Sequence, residues 1–197
     1  MAQGDPERRA ATRRRIVDAF WELRATLPTS QIKVRAVASA AGVSRTTFYK
    51  YFESVPDLQA EAEAELVAEM RAFLDARLEG IRGFDELRAS GVQTELCERF
   101  APRLGAALGV FEESSFVTQI TEALRPATLD ALGLDPQEAS TSFVADTLVG
   151  YVLVTLVQWQ QHGRPVPADE LTAYVSDVAV NGYHLDERAG GAAAGNA

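Results

Sequence analysis

Residues 34–52, with the sequence VRAVASAAGVSRTTFYKYF, decide the fold of this chain. Their spacing predicts two short helices that cross steeply, with Ala38 at the crossing, where a methyl is about the largest side chain that fits. Gly42 supplies the left-handed backbone conformation that ends the first helix, and Ser44 is a good cap for the second. The stretch therefore predicts a helix-turn-helix, whose second helix enters the major groove of DNA.

Basic and hydroxyl side chains face outward from this motif. Arg can bond bidentately to guanine, and Thr offers a hydroxyl and a methyl group to thymine, whereas Tyr and Lys at the end of the helix can reach phosphates. An ordinary helical hairpin is the alternative, but a solvated helix would more naturally carry Glu and Lys at these positions. The predicted DNA-binding residues are Lys33, Arg35, Ser44, Arg45, Thr46, Thr47, Tyr49 and Lys50.

The same stretch resembles the N-terminal domain of the TetR family of transcriptional regulators. The resemblance covers about residues 9–60 and rests on Val37-Ala38, Ala41-Gly42-Val43-Ser44 and Tyr49-Lys50-Tyr51-Phe52, followed by Leu58. It implies an all-helical homodimer with a DNA-binding head and a larger C-terminal body that binds a ligand. Two positions depart from the family's pattern. Val55 replaces a Lys that would contact phosphate, and Lys33 replaces the Thr that often opens the first helix of the motif.

Charge is divided unevenly along the chain. The net charge is −9, yet residues 1–58 hold ten Lys and Arg against six Asp and Glu, a local charge of +4, and residues 59–197 carry −13. A basic head on an acidic body suggests that only the head meets nucleic acid; two solvated surfaces of different sign are the alternative. The five arginines near the start of the first predicted helix are Arg8, Arg9, Arg13, Arg14 and Arg15. Some of them are expected at phosphates or in an adjacent minor groove, and a merely solvated basic terminus is the alternative.

Helical spacing recurs along the whole chain, and almost no segment alternates as a strand does. We therefore predict an all-α protein of eight or nine helices. An N-terminal three-helix helix-turn-helix DNA-binding domain is expected over residues 1–54, with its motif at 34–52. A C-terminal helical domain for effector binding and dimerisation is expected over residues 55–187. Residues 188–197, rich in Gly and Ala, are expected to form a disordered tail.

Capping and stop signals place the individual helices. The first ends at Pro28, and Ser54-Val55-Pro56-Asp57 begins a helix that can run to about Gly80. Asp135-Pro136-Gln137-Glu138 predicts another helix start, and that helix ends at His162-Gly163. The remaining predicted helices are Lys33–Ala41; Ser44–Phe52; Phe84–Val110, broken near Pro102; Ser114–Leu132, bent or split at Pro126; and Ala168–Leu185.

The helices over residues 136–162 and 168–185 are apolar over wide arcs. They form either plain core or, as the resemblance favours, a four-helix homodimer interface with a second copy. Gly150 and Gly182 would allow close backbone approach. The middle helices would enclose the pocket for an unknown small-molecule effector, although apolar residues at helical spacing are more often core. The ligand-binding candidates are Cys97, Phe100, Leu104, Phe111, Phe116 and Tyr151.

Composition limits the other functions. A single cysteine, Cys97, excludes an internal disulfide and points to a reducing compartment, and one Cys with two His argues against a zinc site. No apolar run approaches the roughly 20 residues that span a bilayer, the longest being Thr147–Val157, and no secretory signal is found. No catalytic triad, Gly-rich phosphate loop or HExxH motif is visible. We expect a cytoplasmic protein that is not an enzyme, with no metal, no cofactor and no membrane partner.

Together these features predict a sequence-specific DNA-binding transcriptional regulator. The expected mechanism is that of a repressor, bound to a palindromic operator as a homodimer. A ligand would release it by tilting the helix from Pro56 to Gly80, which joins body to head. The two reader helices would have to lie about 34–36 Å apart to meet successive major grooves. The alternative is an architectural or non-regulatory protein that binds double-stranded DNA without responding to an effector.

Overall fold

A computed structural model describes residues 6–108 and 114–181 of the chain. Every regular element in these residues is helical, which confirms the all-α prediction. Nine α-helices follow one another in these ranges: α1 (Pro6–Arg24), α2 (Val34–Ala40), α3 (Arg45–Phe48), α4 (Val55–Leu78), α5 (Phe84–Ala89), α6 (Val92–Leu108), α7 (Ser114–Leu132), α8 (Ala139–Gln161) and α9 (Ala168–Asn181). We call α1–α3 the head and α4–α9 the body.

The turn between α2 and α3 has the geometry that its sequence predicts. Gly42 adopts a φ of +64°, and the Val43 N–H donates to the carbonyl of Ala38 at 2.9 Å, the bond that closes a Schellman motif. Ala38 is buried at 2% exposure, and its helix α2 contacts both α1 and α3. The Ser44 Oγ accepts a hydrogen bond from the Thr47 N–H at 3.0 Å and so caps α3.

Helix α3 ends earlier than the predicted Phe52. Beyond Phe48, the N–H groups of Lys50 and Tyr51 donate to carbonyls three residues earlier, at 3.1 and 2.9 Å, so the chain continues in tighter turns. Phe48 and Phe52 are both buried, with ring centroids 5.8 Å apart. These turns therefore keep both rings in the core of the head.

Helix α4 begins where the sequence predicts and connects the two parts of the molecule. The Ser54 Oγ accepts from the Asp57 N–H at 3.1 Å, and the Asp57 carboxylate accepts from the Glu53 N–H at 2.8 Å, a reciprocal cap. The helix has 24 residues, a length of about 36 Å at about 1.5 Å per residue. It contacts α1 in the head and both α6 and α7 in the body, so a movement of α4 changes contacts in both the head and the body.

The predicted break at Pro102 is wrong, and so is the split that was one of the two alternatives at Pro126. Pro102 lies inside α6 and Pro126 inside α7, and both helices continue. Both prolines are exposed, so each helix loses one backbone hydrogen bond without disturbing the core. The break falls instead at Gly91, whose φ of +71° separates α5 from α6. Val110, the predicted end of this segment, lies outside the described residues.

The predicted helix start at Asp135 is also wrong, because α8 begins at Ala139. The Asp135 carboxylate accepts from the Gln137 N–H at 2.8 Å, and the Glu138 N–H donates to the Asp135 carbonyl at 3.3 Å. This side chain therefore stabilises a separate turn ahead of the helix. Sequence signals for a turn and for a helix cap use the same residue types, and here the turn prevails.

Helix α8 includes a 22-residue segment, Ser140–Gln161, that is long and apolar enough to cross a membrane by length and composition. Polar residues interrupt this segment, so the sequence prediction, which considered uninterrupted apolar runs, did not identify it. A third of this segment is buried, and a core helix of a soluble protein passes the same test. The predicted end of the last helix at Leu185, Gly182 and the predicted tail at residues 188–197 lie outside the described residues.

Candidate DNA-binding surface and effector cavity

The exposed face of α3 and the turns after it form the candidate DNA-binding surface. Phe48 lies fully buried beneath this face, and its ring packs edge-on against the Tyr49 ring at 5.5 Å. Tyr49 itself is 51% exposed. Five predicted DNA-binding residues lie here, all of them exposed except the half-buried Thr47: Arg45, Thr46, Thr47, Tyr49 and Lys50. The buried ring thus fixes a helix that offers basic and hydroxyl groups outward.

The other three predicted DNA-binding residues border α3. Ser44 is exposed, but its Oγ also lies 2.9 Å from the Thr47 Oγ1, so it has a structural role in fixing the start of α3. Lys33 and Arg35 are exposed at the start of α2. The Lys33 Nζ donates to the Ser30 carbonyl at 3.2 Å, which leaves its other N–H donors available for a phosphate.

Arg13 differs from the other arginines of α1. Arg8, Arg9, Arg14 and Arg15 are exposed, whereas the guanidinium of Arg13 forms ion pairs with two carboxylates of α4. These belong to Glu61 and Glu65, and the guanidinium also lies 5.3 Å from the centre of the Phe52 ring. Arg13 therefore connects α1 to α4, and the expectation that it contacts DNA phosphate is not supported by its position.

Arg24 is a second connection that sequence reasoning missed. It is 5% exposed, and its guanidinium donates to the carbonyls of Leu27 and Ala107, both at 3.4 Å. Ala107 lies in the last turn of α6, where a cation is favourable next to the negative end of the helix dipole. The one sequence signal was its position four residues after Phe20, on the apolar stripe of the first helix.

An apolar cavity of about 110 Å³ lies in the body among α4, α5, α6, α7, α8 and α9. Leu74 of α4, Phe84 of α5 and Leu124 of α7 contribute apolar wall. Among the residues that the structure describes, the lining includes no Asp, Glu, Lys, Arg or His. Four lining residues carry a polar side-chain group: Gln93, Thr128, Tyr151 and Ser176. This cavity is the candidate effector site.

The predicted ligand-binding residues divide between this cavity and the core. Tyr151 lines the cavity, and Cys97 lines a smaller apolar space between α6, α8 and α9. Three of the candidates are buried core residues at 0–2% exposure that line neither space: Phe100, Leu104 and Phe116. Phe111 lies outside the described residues. The wall contributed by α4, α5 and α7 was missed, because the sequence does not reveal which helices surround a common space.

The thiol of Cys97 is buried and unreactive at neutral pH. Cys97 is 2% exposed, and burial raises the pKa of its thiol to about 12. A neutral, inaccessible thiol is neither a nucleophile nor a metal ligand at neutral pH. Elsewhere in residues 6–108 and 114–181, His, Cys, Asp and Glu side chains do not converge into a group of three that could hold a metal ion.

Helices α8 and α9, which contact each other, leave large apolar side chains exposed, and we call the surface that carries them the α8–α9 face. The exposures are 73% for Phe143, 45% for Val144, 53% for Val154 and 40% for Tyr174. On α8, a methyl group added at Gly150 would meet no other atom within 4 Å. Such a concentration of apolar groups on two adjacent helices is typical of a surface that a partner covers.

Known proteins are similar to this chain in two ways. Residues 16–61 match the model of a family described as bacterial regulatory proteins, tetR family. This match contains α2, α3 and all eight predicted DNA-binding residues. A search among curated proteins finds no match.

Three solved structures share the fold over most of the chain. The fatty acid degradation regulator FadR from Bacillus halodurans is 19% identical, with a TM-score of 0.70 over 93% of this chain and 99% of that one. FadR from Bacillus subtilis in complex with stearoyl-CoA is 17% identical, with a TM-score of 0.69 over 87% and 99%. A tetR-family transcriptional regulator from Streptomyces coelicolor is 19% identical, with a TM-score of 0.65 over 85% and 78%.

Proposed function

We propose that this chain is a sequence-specific DNA-binding repressor that a small-molecule effector releases, and that it is a regulator of the kind that the match of its N-terminal residues describes. The family match over residues 16–61 carries this proposal, because it includes the helix-turn-helix and its exposed basic face. We keep the domain boundaries predicted from the sequence, with DNA binding in residues 1–54 and effector binding and dimerisation in residues 55–187. A bacterial regulator of this kind works in the cytoplasm, where its DNA is.

In the proposed complex, α3 lies in the major groove. Arg45 and Thr46, in its first turn, contact base edges, while Tyr49 and Lys50 contact phosphates and fix the register. Support comes from the exposure of all four side chains and from the buried Phe48 that holds α3 in place.

A homodimer through α8 and α9 would pair two such heads on a palindromic operator. The exposed apolar side chains of this face, of which Phe143 is the most exposed, support the interface. Open space around Gly150 supports a close approach of the partner's backbone. A four-helix interface of this type leaves both heads free.

Effector release would act through α4. Met70, Leu74 and Leu78 of α4 line the cavity, while the other end of the same helix is paired with Arg13 of the head. A ligand that displaces the cavity wall therefore changes the tilt of α4 and, with it, the separation of the two α3 helices. A coupling free energy of about 1–3 kcal/mol would weaken operator binding about 5–150-fold.

The direct test is a selection of bound sequences from random duplex DNA at fixed salt concentration. The proposal expects an enriched palindromic motif whose half-sites lie about one helical turn, or a multiple of it, apart. Sequences that share no motif at physiological salt would overturn it in favour of an architectural DNA-binding protein. A sedimentation measurement on the same preparation tests the dimer independently.

A further inference from the structure

The polar groups of the effector cavity are few, and most of them are already engaged. The Thr128 hydroxyl donates to the Leu124 carbonyl of its own helix at 3.0 Å. The Ser176 hydroxyl, in a residue only 1% exposed, donates to the Oε1 of Gln93 at 2.8 Å. Tyr151 also interacts with another group of the protein. The wall is thus mainly apolar, and the hydroxyl groups of Thr128 and Ser176 form hydrogen bonds within the protein.

Gln93 is the exception. Its amide oxygen is held by Ser176, which fixes the orientation of the amide on α6. Among the residues that the structure describes, its Nε2 makes no hydrogen bond, so two N–H donors remain. The side chain is half-buried and lines the cavity. The Gln93 Nε2 is not among the buried atoms that lack a partner, so water reaches it, and a ligand oxygen in the cavity can take the place of that water.

We propose that the cavity selects an effector whose buried part is uncharged and apolar and carries one oxygen that accepts a hydrogen bond from the Gln93 Nε2. An ionised group would lose its water there without meeting an opposite charge, because no charged side chain is found in the described lining. The effector role rests on the proposed function, whereas the binding preference does not.

Two sources share this chemistry. A neutral ester or ketone presents the apolar chain and the accepting oxygen in one small molecule. An acyl thioester presents the same buried part while its charged remainder stays in solvent. The cavity, at about 110 Å³, is smaller than the usual ligand site of about 300–1,000 Å³. A medium-length chain therefore enters it only by displacing the wall, which is the movement that the proposed release mechanism uses, and we choose such chains as probes.

The test compares four probes by calorimetry on the full chain without DNA at neutral pH: methyl octanoate, the octanoate ion, an alkane of matched length and octanoyl-CoA. We expect methyl octanoate to bind at least about tenfold more tightly than the octanoate ion and roughly three- to tenfold more tightly than the alkane. Octanoate binding as tight as that of the ester, or the lack of binding by every uncharged probe, would overturn the proposal.

Gln93→Leu keeps the approximate size of the side chain and removes its donors. We expect this variant to bind the ester and the alkane equally. If a thioester is the natural source, the affinity of the variant for octanoyl-CoA should fall by the same factor, roughly three- to tenfold. Thr128→Val is the matched control, because it also removes a polar group from the wall but leaves Gln93 in place, and it should keep the preference for the ester. A preference that survives in Gln93→Leu would refute the role of this residue. Thermal unfolding of each variant checks its fold. The comparison of the four probes on the unaltered chain tests the proposal even if a variant does not fold.

The binding measurement also distinguishes a failure of this proposal from a failure of the proposed release of DNA by an effector. An ester that binds the cavity without changing operator affinity would overturn the effector role and support the cavity's preference. A chain that binds its operator but takes up no uncharged probe would overturn the preference and leave DNA binding intact.

Discussion

Arg45 and Lys50 carry different parts of the proposed DNA contact. Arg45 stands in the first turn of α3, where the residues of a reader helix face base edges, whereas Lys50 follows the end of the helix. Both side chains are exposed, and neither forms an ion pair among the described residues. Both are therefore free to bind DNA, the first to bases and the second to phosphate.

This difference gives a paired prediction. Arg45→Ala should lower affinity for the selected operator by about 1–3 kcal/mol and relax the base preference at one position. Lys50→Ala should weaken operator and scrambled duplexes alike and reduce the slope of affinity against salt by about 1. Fluorescence anisotropy titrations at several salt concentrations measure both effects. An equal loss on both duplexes for Arg45→Ala would remove it from base readout.

Cys97 should be protected from alkylation. The pKa of its buried thiol, raised to about 12, lies above the value of about 8.5 for an unfolded chain. The raised pKa contributes stability in full below pH 8.5, and this contribution is lost as the pH rises toward 12. At pH 8, we expect iodoacetamide to modify the folded chain at least about a thousandfold more slowly than the urea-unfolded chain. Mass spectrometry follows the reaction, and similar rates would contradict the burial.

The outward residues of the helix-turn-helix could be predicted from local spacing around Gly42, but the roles of Arg13 and Arg24 could not. The carboxylates that bind Arg13 are 48 and 52 residues away in the chain, and the Ala107 carbonyl is 83 residues from Arg24. Such pairings depend on how α1 packs against α4 and α6. A sequence pattern describes one helix at a time and does not contain that information.

The turn between α2 and α3 depends on one backbone conformation. A side chain at Gly42 would have open space, so any penalty comes from its φ of +64°. Gly42→Val should lower the free energy of unfolding by about 1–2 kcal/mol or more, because a β-branched residue is strained in the left-handed region. Urea denaturation measures the change.

Gly42→Asn is the matched control for this prediction. Asn tolerates the left-handed region better than other residues do, so this variant should lose clearly less stability than Gly42→Val. Equal losses would show that the added volume, and not the backbone conformation, is responsible.

Helix boundaries were predicted well where one signal acts alone. The cap at Ser54 placed the start of α4 correctly. At Asp135, a turn competes with a helix cap for the same side chain, and at Pro102 the surrounding helix tolerates the proline, so local rules fail. The cavity could not be predicted from any single helix, because six helices contribute to its wall.

The α8–α9 face determines the assembly of the whole molecule in our proposal. Phe143→Glu should leave the fold of one copy intact, because this side chain is 73% exposed, and should produce a monomer in analytical ultracentrifugation. Affinity for the full palindrome should fall toward that of a single half-site, since two heads no longer bind together.

A glutamate elsewhere on the surface is the control for this variant. Ala72 is exposed on α4, so Ala72→Glu adds the same charge without touching the apolar face and should remain dimeric. A Phe143→Glu variant that stays dimeric would refute this interface.

The exposed phenyl ring of Phe143 has a thermodynamic consequence. When two copies cover each other's apolar surface, mass action links folding to abundance, and the melting temperature rises with protein concentration. At a low cellular concentration of the protein, the population would shift toward monomers, each of which has one head and binds one half-site with low affinity. The sensitivity of such a regulator would then be set by how many molecules a cell holds as well as by its effector.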